Sequence, residues 1–202
     1  MSSKLLDTRV SYTGHTMTNL KLLAEKLAVS DRTLRRAAAR GTIRGWQRGR
    51  QARIELPIRE ILYLERAWAT IDSLIGELRT LPNVRLAVLF GSIARGDWHD
   101  RSDLDLLVRL AEPNLRARGQ LLSRVEDAVP GRPVQLVELE DANPLLLVDV
   151  IRDGRVLVDR DGDWPALLAR RSRLETEAAK SRAELEAGVF ADLEDLFSEA
   201  GV

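Results

Sequence analysis

The chain has 202 residues, of which 45% are hydrophobic and 31% charged, and its formal net charge is zero. This composition is typical of a globular protein and excludes an intrinsically disordered chain. The absence of cysteine excludes disulfides, thiolate zinc sites and cysteine nucleophiles, and two histidines leave little scope for a histidine-based metal centre. No apolar run approaches the roughly 20 residues that span a bilayer, and the N-terminus lacks the pattern of a signal peptide. We therefore expect a cytoplasmic protein without membrane contact.

Hydrophobic periodicity and turn residues divide the chain into five segments. In chain order they are a flexible arm at residues 1–17, a basic helical unit at 18–56, a linking helix at 57–82, a larger domain at 83–160 and a C-terminal helical segment at 161–202. The basic helical unit is rich in arginine, whereas the last forty residues lean acidic. This asymmetry indicates different partners for the two ends of the chain.

The predicted elements are both helices and strands. In the basic helical unit, helices are predicted at 19–27 and 31–40, the second capped by Ser30 or Asp31, and short strands at 42–46 and 52–56. After the linking helix, the predicted elements are strands at 85–90, 103–110 and 133–139, helices at 114–128 and 143–152, a hairpin-like stretch at 154–159 and a terminal helix at 165–196.

The most informative feature is a Gly-Ser pair that precedes an Asp-x-Asp pair by about ten residues. Asp103 and Asp105 lie at alternate positions of a predicted strand, so their side chains are expected to share one face. Two neighbouring carboxylates repel each other, and such a pair is tolerated mainly when a divalent cation lies between them. Gly91 and Ser92 offer backbone N–H groups and a hydroxyl where a helix is expected to begin, and anions bind well there. Together the two pairs indicate a site for a nucleoside triphosphate and Mg²⁺.

The segments Leu89–Gly96 (LFGSIARG) and Ser102–Val108 (SDLDLLV) resemble the minimal nucleotidyltransferase family of the polymerase-β-like superfamily. The resemblance covers about residues 83–160. It implies a core with a mixed sheet and helices on one face. For the whole chain we expect an α/β (α+β) fold: a small N-terminal winged helix-turn-helix, this polymerase-β-like nucleotidyltransferase core and a C-terminal helix.

The same resemblance implies roles for individual residues. Gly91 and Ser92 would hold the phosphates of ATP, and Arg95 would either reach a phosphate oxygen or be a solvated or structural ion-pairing arginine. Asp103 and Asp105 would be catalytic and would bind two Mg²⁺ ions when the nucleotide is present. One ion would activate the attacking hydroxyl and the other would neutralise the leaving pyrophosphate. Trp98 and His99, on the loop beside this site, would either touch nucleotide or acceptor, or serve in loop packing.

One position departs from the family pattern. Family members usually carry a third acidic residue on a later strand, and Gln135 occupies that position in this sequence. A neutral amide can ligate Mg²⁺ weakly but cannot accept a proton. Glu138 is nearby, but strand alternation places it on the opposite face. Two outcomes are therefore open, namely weak catalysis, or metal binding without turnover.

The basic helical unit resembles a helix-turn-helix with a wing. The expected contacts in the DNA major groove are Arg32, Thr33, Arg35 and Arg36, and those on phosphates are Arg48, Arg50 and Arg53. The alternative is a solvated basic face that binds nothing, or that binds the acidic tail of a partner. Helix-turn-helix proteins are often dimers, so a homodimer is among the expected assemblies.

Three functions are compatible with these features. Members of this family are commonly antitoxins whose partners are HEPN-type toxins, which they silence by transferring AMP from ATP or by simple binding. The first hypothesis is therefore a DNA-binding antitoxin that adenylylates a toxin and represses its own operon. The second is a transcriptional regulator whose nucleotidyltransferase domain only binds nucleotide or a partner, and Gln135 favours it. The third is a small-molecule nucleotidyltransferase, which usually carries a further helical substrate domain.

Overall fold

A computed structural model describes residues 20–47 and 54–199 of the chain. These residues form eight helices and six strands. In chain order the elements are α1 (Leu20–Lys26), α2 (Asp31–Arg40), β1 (Trp46–Gln47), β2 (Ile54–Glu55), α3 (Ile58–Thr80), β3 (Val84–Phe90), α4 (Gly91–Arg95), β4 (Leu104–Leu110), α5 (Leu115–Ala128), β5 (Val134–Glu138), α6 (Pro144–Asp153), β6 (Arg155–Asp159), α7 (Asp163–Ala169) and α8 (Arg171–Glu199). Within the described ranges, no helix combines the length and the apolarity needed to cross a membrane.

The centre of the fold is a mixed four-stranded sheet in the order β5-β4-β3-β6. Strand β3 is antiparallel to both β4 and β6, whereas β4 and β5 run parallel. The two central strands, β3 and β4, are buried along almost their whole length. Near-continuous apolar runs of this kind require cover on both faces of a sheet.

Helices cover both faces, which corrects the expectation that they would lie on one face only. Alternate residues of β4 show the arrangement. Leu106 belongs to a core that includes α3 and α5, whereas Leu107 belongs to a core that includes α6, α7 and α8. The reason is that both faces of the central strands are apolar. Exposure of either face to water would lose a large hydrophobic stabilisation, so both must be packed against helices. Mixed sheet and helices agree with the expected fold class.

The two N-terminal helices lie within one residue of their predicted bounds. The Ser30 hydroxyl accepts a hydrogen bond from the Thr33 backbone N–H at 3.0 Å and so caps α2. Gly41 ends the same helix in the left-handed conformation, at φ +92°. Strands β1 and β2 form a two-residue antiparallel ladder that is much shorter than predicted. The tip between them, with Arg48, Arg50 and Arg53, and the arm at 1–17 lie outside the described residues, so the winged helix-turn-helix stays a prediction.

Two C-terminal predictions are wrong. The stretch 154–159 is not hairpin-like but contains β6, the fourth strand of the main sheet, which pairs with β3. A short apolar run carries no clear period, so only its long-range partner reveals what it is. The terminal helix is in fact two, α7 and α8, which meet at Arg170.

The outer edge of β6 is covered by the chain that follows α2. The Val156 backbone N–H donates to the Gly41 carbonyl at 3.3 Å, and the Thr42 hydroxyl donates to the Val156 carbonyl. The N-terminal helical unit therefore satisfies backbone groups that an edge strand would otherwise leave unpaired.

A buried ion pair joins this unit to the rest of the fold. Arg155 is 1% exposed and Glu60, on α3, is 3% exposed. The guanidinium donates from Nη1 and Nη2 to the two carboxylate oxygens of Glu60, at 2.6 and 2.9 Å. It also donates to the carbonyl oxygens of Thr42 at 3.1 Å and Ala94 at 2.7 Å. One side chain thus connects β6, α3, α4 and the segment that follows α2.

We expect Arg155→Met to lower the free energy of unfolding by about 3–5 kcal/mol, because it leaves the Glu60 carboxylate buried without its partner. The measurement is chemical denaturation followed by circular dichroism. The double variant Glu60→Leu/Arg155→Met should recover part of the loss, since no charge then remains buried.

The matched control is Arg171→Ala. Arg171 forms an exposed pair with Glu175 at 2.8 Å, and its loss should change the free energy of unfolding by no more than about 1 kcal/mol. Equal effects of Arg155→Met and Arg171→Ala would contradict the central role of the buried pair.

Candidate nucleotide and metal site

The phosphate-binding candidates lie where β3 passes directly into α4. Phe90 ends the buried strand, and Gly91 and Ser92 begin the short helix. Gly91 has φ +70°, a left-handed conformation that side chains other than glycine rarely adopt. Ser92 is half-buried, and its carbonyl accepts hydrogen bonds from the backbone N–H groups of Gly96 and Asp97 at 2.9 and 3.2 Å. The turn is therefore tight and internally braced.

Asp105 lies directly against this turn. In the β3–β4 ladder Asp105 is the partner of Phe90, the residue before Gly91. A Cβ atom added to Gly91 would lie 2.1 Å from Oδ2 of Asp105 and 3.0 Å from its Cγ. These distances are too short for any side chain, so glycine is required here for space as well as for backbone conformation. The structure brings the Gly-Ser turn and the second aspartate of the Asp-x-Asp pair into contact.

The two aspartates influence each other electrostatically. Asp105 is half-buried at the start of β4, and Asp103 is exposed one residue before the strand. Burial raises the pKa of Asp105 above its ordinary value, the negative charge of Asp103 raises it further, and Arg95 lowers it. A cation bound between the carboxylates would remove this repulsion and favour their ionised forms.

Gln135 lies beside Asp105 on the neighbouring strand. The parallel β4–β5 register pairs Asp105 with Gln135. Residues paired in this way point to the same face of a sheet, and Gln135 is exposed. Glu138 contacts Arg118 of α5, on the opposite face, with 3.2 Å between Oε1 and Nη1. The third acidic position of the family is thus occupied by an amide, and Glu138 does not replace it.

Arg95 lies in the last turn of α4, near the two aspartates. Its Nε is 3.2 Å from Oδ2 of Asp97, and both side chains are exposed. An exposed pair of this kind is weak, so the guanidinium is available to a competing phosphate. The structure therefore contains the ion pair that was one of the two expectations for Arg95, and it leaves the other open.

Trp98 and His99 take part in loop packing. The Trp98 ring meets Tyr63 of α3 edge to face, with 5.8 Å between the ring centres, and the Arg66 guanidinium lies 4.3 Å above it. His99 is exposed, and its Nδ1 accepts a hydrogen bond from the Arg101 backbone N–H at 3.2 Å.

Sequence reasoning missed three residues that hold this loop. Tyr63 and Arg66 contact Trp98 from α3, and Arg132 donates from Nη1 to the carbonyl oxygens of His99 and Ser102, at 3.2 and 3.1 Å. No local pattern could have identified them, because each acts on residues some 30 positions away in the chain.

The DNA-binding candidates among the described residues lie on α2, whereas the Asp-x-Asp pair lies at the start of β4. Arg32, Arg35 and Arg36 are exposed, and Nε of Arg35 is 2.5 Å from Oδ2 of Asp31. Thr33 differs from them, since its hydroxyl lies 2.8 Å from the Ser30 hydroxyl within the helix cap. The three arginines form the outward face of α2, and Thr33 serves the cap.

The residues present at the Asp-x-Asp pair fit Mg²⁺. Over residues 20–47 and 54–199, no group of three or more histidine, aspartate or glutamate side chains is arranged to hold a metal ion. Magnesium, however, is usually bound by one or two carboxylates together with substrate phosphates and water. Asp103 and Asp105 would supply the carboxylates, the Gln135 amide oxygen would be an additional weak ligand, and the adjacent turn suits phosphate.

Parts of this chain are similar to known proteins. A stretch of 79 residues, 38% of this chain, is 34% identical to the protein adenylyltransferase MntA of Shewanella oneidensis. The match spans 55% of that protein, so the chain covers about half the length of this curated relative. A crystal structure of a toxin-antitoxin with AMP-PNP superposes with a TM-score of 0.45 at 26% identity, over 63% of this chain and 98% of that one. A tri-AMPylated Shewanella oneidensis HEPN toxin in complex with an MNT antitoxin gives a TM-score of 0.41 at 24% identity, over 63% and 96%.

The match to a family model locates the domain. Residues 72–163 fit the model described as "Polymerase beta, Nucleotidyltransferase". This range contains the Gly91–Ser92 turn, both aspartates and all four strands of the main sheet. Residues 72–163 of this chain are therefore similar to the nucleotidyltransferase domain that this model describes.

Proposed function

We propose that this protein is the antitoxin of a toxin-antitoxin pair and transfers AMP from ATP to its partner toxin. The observation that carries the proposal is the contact between the Asp105 carboxylate and the Gly91 turn, with Asp103 close by, inside a nucleotidyltransferase domain. The relative named protein adenylyltransferase supports AMP as the transferred group and a protein as its acceptor. A HEPN-type toxin is the partner we propose.

The chain's own residues have distinct roles in this proposal. Gly91 allows the backbone to approach the phosphates, Ser92 offers its hydroxyl and backbone N–H, and Arg95 exchanges Asp97 for a phosphate oxygen. Asp103 and Asp105 would hold Mg²⁺, with two ions when ATP is present. Bound there, Mg²⁺ supplies charge neutralisation for the polyphosphate and activates the attacking oxygen.

Gln135 limits the chemistry at this site. Its amide cannot take the proton of an acceptor hydroxyl, so this position supplies no general base. We therefore expect slow transfer. The same observation favours a second candidate function, in which the domain binds nucleotide or partner without turnover and the protein acts as a transcriptional regulator.

We further propose that α2 binds operator DNA and that the protein represses its own operon. The outward arginines Arg32, Arg35 and Arg36 support major-groove contacts, and Arg48, Arg50 and Arg53 are proposed to contact phosphates. A homodimer would present two such helices to the two halves of an operator.

Asp103→Asn and Asp105→Asn should each lower AMP transfer by at least about a hundredfold, because each removes a carboxylate ligand of Mg²⁺. The measurement is the intact mass of the toxin encoded by the neighbouring gene after co-expression. Asp127→Asn, an exposed change on α5, is the matched control and should transfer AMP at the wild-type rate. Unmodified toxin with the wild-type protein, or equal modification with all variants, contradicts the catalytic proposal.

Gln135→Asp separates the two candidate functions. If the protein is a slow transferase, the new carboxylate beside Asp105 should raise the rate of AMP transfer about tenfold or more, since it adds a base and a metal ligand. The rate is measured as pyrophosphate release with the purified toxin. Gln120→Asp, at an exposed position of α5, is the control for the added negative charge. No release with either the wild type or Gln135→Asp favours the regulator.

Operator binding should depend steeply on salt and on α2. If about five arginines contact phosphates, namely Arg48, Arg50 and Arg53 together with others of the basic helical unit, the logarithm of the affinity should fall against the logarithm of the salt concentration with a slope of about −4 to −5. Arg32→Ala/Arg36→Ala should weaken binding to the DNA upstream of the gene about tenfold or more relative to random DNA. Fluorescence anisotropy measures both, with Arg116→Ala on α5 as the control. Equal affinity for both DNAs in the wild type would exclude operator recognition.

A further inference from the structure

A stack of cations and aromatic rings runs along α3 beside the Gly91 turn. The Arg155 guanidinium lies 3.5 Å from the centre of the Tyr63 ring. Tyr63 in turn meets Trp98 edge to face at 5.8 Å, with an angle of 84° between the rings. The Arg66 guanidinium covers the ring of Trp98 at 4.3 Å. Cation–ring and edge-to-face ring contacts of these kinds are attractive.

This stack contacts both sides of the candidate site. On one side, Arg155 holds the carbonyl of Ala94 in α4, the helix that begins with Gly91 and Ser92. Gly96, which ends α4 at φ +98°, lies so close to Tyr63 that an added Cβ would be 3.2 Å from Cδ2 of the ring. On the other side, Trp98 belongs to the loop that leads to Asp103.

Helix α3 packs against both sides of the candidate site, namely α4 and the loop that leads to Asp103. It has 23 residues, and Tyr63 is 6% exposed on its buried face. Burial raises the pKa of Tyr63 to about 12, so its ring stays neutral beneath Arg155 at any ordinary pH. The loop between Gly96 and Ser102 has no regular secondary structure of its own. Its position therefore depends on Trp98 at one point and on the Arg132 hydrogen bonds at another.

We propose that Trp98 is a positioning residue of the nucleotide site, held on α3 by Tyr63 and Arg66. It fixes the loop that leads to Asp103 at the distance from the Gly91–Ser92 turn at which one bound ATP and its Mg²⁺ contact both. This inference rests on the proposed function, because it takes ATP·Mg²⁺ as the ligand. Trp98 itself packs on the protein and does not contact the nucleotide.

A positioning role has a specific consequence for metal dependence. The turn contacts phosphate whether or not Mg²⁺ is present, whereas Asp103 contributes only through the metal. A displaced loop should therefore reduce the gain in ATP affinity that Mg²⁺ provides, and should leave metal-free ATP binding almost unchanged. A ring that stacks directly on the nucleotide would instead weaken binding equally in both conditions.

The experiment is isothermal titration of ATP into the full-length protein with and without Mg²⁺. We expect the wild type to bind ATP about tenfold or more tightly with Mg²⁺. Trp98→Ala should reduce this ratio to about threefold or less, because a displaced Asp103 loses most of the charge stabilisation that it gives through Mg²⁺. Trp98→Phe and Tyr63→Phe retain a ring at each position and should keep the wild-type ratio.

Arg66→Ala gives a second variant that opens no cavity in the core, because Arg66 is exposed. It should lower the ratio in the same direction as Trp98→Ala. Arg118→Ala is the matched control, since it removes another exposed, ion-paired arginine on the α5 side of the sheet and should leave the ratio unchanged.

Two other results with Trp98→Ala overturn the proposal. A wild-type ratio in Trp98→Ala shows that the loop does not depend on Trp98. Equal weakening with and without Mg²⁺ shows that the ring contacts the nucleotide. A wild type that binds ATP with a strong Mg²⁺ effect but transfers no AMP removes only the transferase proposal, whereas a wild type without ATP binding removes both.

Discussion

The fold depends on one buried charge and on the groups that neutralise it. The Arg155 guanidinium, 1% exposed, has donors on three nitrogens, and each donates to an oxygen of Glu60, Thr42 or Ala94. A buried guanidinium without such partners would cost several kcal/mol, so these segments must assemble together or not at all. The basic helical unit is consequently not an appendage on a separate core. One set of hydrogen bonds joins strand β6 to helix α3, to helix α4 of the candidate site and to the segment that follows α2.

The chemistry of the site arises from close contact between backbone and carboxylate. Gly91 has no side chain, so Asp105 lies against the turn, and burial together with Asp103 raises the pKa of its carboxyl group. The ionised form of Asp105 is therefore unfavourable in the protein alone, because it is half-buried and is repelled by Asp103. A cation bound between the two carboxylates would remove this repulsion. Gln135 beside Asp105 keeps the shape of the site while removing one negative charge and one proton acceptor. Under the proposed function, ligand binding and proton transfer would thus be separated in this chain, because Asp103 and Asp105 are present and a base at position 135 is not.

Sequence reasoning was most successful where the information is local. The bounds of α2 followed from Ser30 and Gly41, and the spacing of the motif assigned the Gly91 turn and Asp105 to one candidate site, where the structure brings them into contact. It failed where an element is defined by a distant partner. Strand β6 is too short to show a period, and its identity depends on pairing with β3. Glu60 and Arg155 are 95 positions apart, and neither differs in sequence from a solvated surface residue. Trp98 was correctly placed beside the site, but its support on α3 depends on Tyr63 and Arg66, which no motif marks.

The cover on the edge of β6 has a consequence for how this domain can be exchanged between proteins. The stretch that matches the family begins at residue 72, whereas Glu60 and the Gly41–Thr42 segment lie upstream of it. A gene fusion that transplanted only the matched stretch would carry Arg155 without its carboxylate and would leave the backbone of Val156 bare. Such a fragment would be prone to join strands with another copy of itself. The stretch that matches the family model therefore lacks upstream groups on which β6 depends in this chain.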